Sequence, residues 1–159
     1  MRKNILIGWI VAVPAAALML WLGYNYFALP NHADPDNRAQ TAFGKFIYDR
    51  HCVRCHGRNL EGHANWRPDD PVDGKFRPPP HDETGHTWHH SDQSLFEHTK
   101  LGGKAVMPPG YRGYMKGFKN SLTDVEIWSA LAYIKSRWPP DIRARQEEID
   151  RQVGPPRRR

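Results

Sequence analysis

Apolar and polar positions alternate in no single rhythm along this chain, and the first change of pattern is the sharpest. From Ile5 to Leu29 no side chain is charged. A run of about 25 residues makes a helix of about 37 Å, enough to cross a hydrocarbon core of about 30 Å. The pattern predicts a transmembrane helix over residues 1–30. Trp9 lies near one end and Trp21, Tyr24, Tyr26 and Phe27 near the other, where amphipathic rings favour the headgroup region, and Pro14 falls in the middle. Arg2 and Lys3 before the run, against Asp34 and Asp36 after it, place the N-terminus in the cytoplasm and the remaining chain outside. A cleaved signal peptide is the alternative, with Ala15-Ala16-Ala17 as the small-residue site. Cleavage there would leave the apolar stretch Leu18–Leu22 as an exposed terminus, and the run outlasts the usual signal.

Residues 31–38 are polar and punctuated by proline, a linker whose extended reach stays under about 30 Å. Beyond it the periodicity becomes helical. Ala42, Phe43, Phe46 and Ile47 predict a helix over about 39–51. A second helix begins at a capping signal, Thr123 with Glu126 three residues on, and carries Val125, Trp128, Leu131, Ala132 and Ile134 on its stripe until Trp138-Pro139-Pro140 ends it. A shorter one is indicated around Ser91–Lys100. Ile142, Ile149 and Val153 recur at helical spacing in a charged C-terminal tail, residues 141–159, which reads as solvated or as a docking extension for a partner.

Composition alters this picture in two ways. Half of the 14 prolines and most of the 13 glycines fall between residues 57 and 121, with no strand-like alternation among them. A domain spanning 39–140 with so much loop needs something besides side chains in its core. Lys and Arg total 23 against 17 acidic residues, a surplus too mild and too scattered for nucleic-acid binding. The two cysteines, Cys52 and Cys55, stand three apart, so no disulfide framework exists and the pair asks for a chemical use.

That use is legible in His51-Cys52-Val53-Arg54-Cys55-His56-Gly57. Cys-x-x-Cys-His is the attachment signature of c-type haem: each thiol adds across a vinyl group of the porphyrin, and the following histidine ligates the iron. One haem c, covalently attached through Cys52 and Cys55 with His56 on the metal, also supplies the missing apolar core. A zinc site built on Cys52, Cys55 and two histidines would leave that deficit unexplained, and no βαβ pattern surrounds the pair as a thioredoxin-like motif requires.

With these residues in place the sequence resembles the bacterial class I cytochrome c family over residues 38–138. Gly44 and Tyr48 match the Gly and aromatic positions of the family's first helix, and Ala130 and Tyr133 match those of its last. The resemblance implies an all-α fold, a few helices wrapped around one haem, here preceded by the transmembrane helix. It also implies a second iron ligand, a methionine ahead of the last helix. Met115-Lys116-Gly117-Phe118 followed by Leu122-Thr123-Asp124 is similar to the family's Met-Pro-x-Phe and Leu-Ser/Thr-Asp, with Lys116 where the proline usually stands. Met107, which does precede a proline, is the rival, but Phe118, Leu122 and Asp124 fall in register only with Met115. The family's proline carbonyl, which takes the Nδ1 proton of the axial histidine, maps to Pro79 or Pro80, or to Pro68 at a shorter loop spacing.

The function so implied is electron transfer without catalysis. The chain reads as a single-pass protein of a bacterial inner membrane, its haem domain in the periplasm, passing single electrons between respiratory or photosynthetic redox proteins. The alternative is a haem c subunit of a larger membrane oxidoreductase. Its partners are the bilayer, through the N-terminal helix, and a protein donor and acceptor, with no nucleic acid. Lys104, Arg112, Lys116 and Lys119 flank the Met115 loop as a basic docking face or as a solvated loop. His81, His86, His89 and His90, with Asp82 and Glu83, form a run that reads either as a copper or zinc site or as a polar loop beside the haem with Trp88 in the core.

Overall fold

The computed structural model describes residues 2–67, 76–107, 113 and 115–153, with side chains from Ala12 onward. Helices α1 (Arg2–Phe27), α2 (Arg38–His51), α3 (Val53–His56), α4 (Asp92–Leu101), α5 (Gly103–Val106), α6 (Asp124–Ser136) and α7 (Pro140–Val153) follow one another, with a 3-10 turn at Thr87–His89 before α4. Among the described residues there is no strand, only two isolated bridges, Phe76 to Gly113 and Gly102 to Lys116.

The centre of the domain is the crossing of α2 and α6. Asn37 caps α2 by accepting from the Gln40 amide at 3.0 Å. Thr123 and Glu126 form the expected reciprocal cap on α6. At the crossing a Cβ on Gly44 would collide with the Ser129 carbonyl, so only glycine lets the two backbones approach this closely. Tyr48 and Tyr133 pack one turn along, ring centroids 5.4 Å apart. The position that meets Gly44 is thus Ser129, the neighbour of the expected Ala130. Phe96 of α4 stacks on Trp128 of α6 at 4.2 Å, and Ile47, Leu60, Phe118, Ile127 and Trp138 complete the core.

Helix α1 occupies the predicted apolar run. Among the described residues, however, no helix is long and apolar enough to cross a membrane. Leu18, Leu20, Trp21, Leu22, Tyr24 and Phe27 lie exposed on α1.

Two segments are more tightly held than the sequence implied. In the linker, Ala33 is buried in the core, and the wholly buried Gln40 donates to the carbonyls of Pro30 (3.0 Å) and His32 (2.8 Å). Tyr26 ties the end of α1 to the domain, its hydroxyl 2.9 Å from that of Thr123 and its ring edge-on to Phe43. The charged C-terminal stretch is held to the domain. Residues 140–153 form α7, which packs on the 3-10 turn, because its polar residues are partnered inward. Fully buried Gln146 donates to Asp92 (2.8 Å) and to the His90 carbonyl (3.3 Å), and Arg143 pairs with Asp36 at 2.7 Å. Buried Lys135 meets Asp92 at 2.6 Å and Asp150 at 3.7 Å. Residues 154–159 lie outside the described residues.

Candidate functional site

Cys52 ends α2 and leads into the single turn of α3, so the helical bonds Cys55 N–H to Cys52 O (3.0 Å) and His56 N–H to Cys52 O (2.9 Å) gather the two thiols and the imidazole on one short coil. Neither cysteine is in a disulfide. Cys55 is exposed and Cys52 half-buried, its thiol pushed up to about 12 by burial and by the neighbouring Cys55. Both sulfurs are therefore available, and Cys52 is a neutral thiol at ordinary pH.

His56 is buried, and its Nδ1 lies 2.9 Å from the Pro79 carbonyl. A carbonyl can only accept, so Nδ1 carries the proton and Nε2 keeps its lone pair. Burial lowers the pKa of His56, outweighing the hydrogen bond to Pro79, which favours the neutral, metal-binding form. Of the proline carbonyls considered, Pro79 is the one in place, and Pro68 lies outside the described residues. The loop that brings Pro79 here is fixed at Gly62, whose φ of +67° and crowding by the Pro79–Pro80 backbone exclude a side chain. Tyr48 braces the near side by donating to the Gly57 carbonyl at 2.9 Å.

Met115 sits on the loop ahead of α6, half-buried and packed against the same core as Cys52 and Val53. Its carbonyl accepts from the Gly103 amide at 3.1 Å, which ties the loop to the start of α5. Met107 is 39% exposed. The basic residues near this loop are divided: Lys104, Lys116 and Lys119 are exposed, Lys116 lies over the Phe118 ring at 5.3 Å, and Arg112 is outside the described residues.

The histidine run is used for packing. Trp88 rests against the core and stacks on His89 at 3.7 Å, and His86 stacks on Trp66 at 5.5 Å. No group of three or more His, Cys, Asp or Glu that could hold a metal ion gathers among the described residues.

Comparison with known proteins places this geometry. The sequence profile of the cytochrome c family matches residues 41–138. The chain belongs to the cytochrome c family. No curated protein and no solved structure is matched by it. As a family member this cytochrome is an electron-transfer haem protein and binds one covalently attached haem c. The residues present fit that group. Cys52 and Cys55 stand in the attachment spacing with free sulfurs, and His56 offers an unprotonated nitrogen. The indole N–H of Trp88 is a buried donor with no acceptor among the described protein atoms, which suits a carboxylate such as the haem's propionates carry. Sequence reasoning placed Trp88 in the core without seeing its unmatched donor, and it missed Ser129 and Tyr48's bond to Gly57. None of these has a signature beyond the residue type.

Proposed function

We propose that this cytochrome c is a membrane-anchored, single-electron carrier of a bacterial inner membrane. Its domain faces the periplasm and exchanges electrons with a protein donor and acceptor, without a reaction of its own. Cys52 and Cys55 hold the haem, and His56 and Met115 ligate its iron. The bond between His56 Nδ1 and Pro79 carries this reading, because it leaves a neutral imidazole with one nitrogen free for metal directly after two unpaired thiols. Bound haem would supply a one-electron ferric/ferrous couple, with His56 and Met115 as the residues that would hold its iron, and a thioether ligand would favour the ferrous state. The chain's own residues hold the His56 tautomer, seat Met115 against the core and exclude water from the buried side. The exposed apolar side chains of α1 support the anchor, since an apolar surface of this extent calls for lipid or protein cover.

Met115→Ala tests the ligand assignment. It should abolish the weak long-wavelength sulfur-to-iron band of the ferric protein, and Met107→Ala should leave that band intact. The reverse outcome transfers the ligand to Met107.

The tying of Tyr26 to Thr123 and of Gln40 to the linker favours one second reading, a haem subunit held in a fixed place within a larger oxidoreductase. Mild detergent extraction separates the two: a carrier emerges alone, a subunit with its complex.

A further inference from the structure

His81 has no part in the site as described, yet its ring lies flat against that of His56. The centroids are 4.0 Å apart and the planes 18° apart. This imidazole is itself immobilised. Its backbone N–H donates to the Leu60 carbonyl at 2.7 Å, and its carbonyl accepts from the Trp138 indole at 2.7 Å. Its Nδ1 lies 2.7 Å from the Thr87 hydroxyl, which in turn donates to the Pro80 carbonyl at 3.2 Å. Thr87 thereby bridges the His81 ring to the Pro80 carbonyl. Two adjacent carbonyls, Pro79 and Pro80, thus anchor two stacked imidazoles, His56 directly and His81 through Thr87.

The hydrogen bond to Pro79 fixes the direction of His56 Nδ1 but leaves the ring free to rock about that bond. A flat, anchored ring on its face removes the remaining freedom, because rocking would drive one ring into the other. We propose that His81 is a positioning residue for the iron-ligating imidazole, setting the plane in which the His56 ring lies. The proposal rests on the reading of His56 as the ligand.

The test is proton NMR of the ferric holoprotein, in which the order and spread of the haem methyl resonances follow the orientation of the axial ligand planes. His81→Leu, which removes the flat ring, and Thr87→Val, which releases it, should each lose the wild-type methyl order. His81→Phe, which returns a flat ring without the Thr87 bond, should behave as Thr87→Val does, since the ring is present in both and held in neither. An unchanged order in His81→Leu, or in Thr87→Val should the first variant not take up haem, overturns the proposal. The ligand reading is scored separately, by the hyperfine-shifted ring resonances of isotope-labelled His56 in the unsubstituted protein. Their absence there would sink the reading of His56 as ligand, whatever the variants show.

Discussion

Where α2 and α6 cross, backbone meets backbone at Gly44 and apolar side chains close the rest. Between Gly57 and Leu122 the described residues mostly bond to their own turns and to a few isolated anchors. The first region is a side-chain core that any helical domain could own: Ile47, Ile127 and Ala132 are almost wholly shielded. Among the described residues of the second, Leu60, Phe96, Phe118 and Leu122 reach into that core, and single hydrogen bonds such as His81 N–H to Leu60 O and Phe118 N–H to Thr99 O hold the loops between them. The difference teaches that the two halves draw stability from different sources. One is complete as polypeptide, and the other is shaped to be completed by a prosthetic group.

The largest effect should follow from removing that group. With Cys52 and Cys55 replaced by Ser, amide protection should fall to exposed levels through residues 57–121 and persist longest in α2 and α6, as read by hydrogen exchange. Equal protection in both regions would erase the contrast. Next, Gly44→Val attacks the other half. Its new methyl groups meet the Ser129 carbonyl, part of a helix backbone that cannot give way cheaply, and should cost about 3 kcal/mol in urea unfolding of the holoprotein. The haem spectrum of the folded fraction should stay unchanged. A small loss would mean that the crossing tolerates separation and is not the self-sufficient core described here.

The smallest effect concerns acid. Burial lowers the pKa values of His90 and His98 below the ordinary 6.5, so the unfolded chain takes up protons before the native one does. The stability these residues contribute is fully present above 6.5 and is lost as pH falls toward their native values. The urea midpoint should therefore decline on acidification below that point, and the pair His90→Gln and His98→Gln should flatten the decline. Both residues lie in the haem-side half, so the same flattening from changes confined to α2 or α6 would go against the division.

The sequence showed the first half more fully than the second. Periodicity and the Thr123–Glu126 cap located α2 and α6 to within a residue or two, because helix signals are local. Cys52, Cys55 and His56 were legible for the same reason, their chemistry being packed into adjacent residues. Pro79 emerged only as one of three prolines, since the choice depends on how a loop of more than 20 residues returns. The docking of α7 was not legible: Gln146, Lys135 and Asp92 look like ordinary surface residues until the fold brings them together. The stack of His81 on His56 was hidden likewise, a contact across 25 positions with no pattern to announce it.

The short bond between Tyr26 and Thr123 ends on a residue that also caps α6. With α1 seated in a bilayer as proposed, this shared hydroxyl and the Tyr26–Phe43 ring contact would restrain the height of the domain above the lipid. The redox centre would then ride at one altitude above the lipid and turn only as the whole molecule turns. A partner whose own centre stands higher or lower would be out of tunnelling range at any concentration, so selection between partners would operate by elevation before any surface charge comes into play.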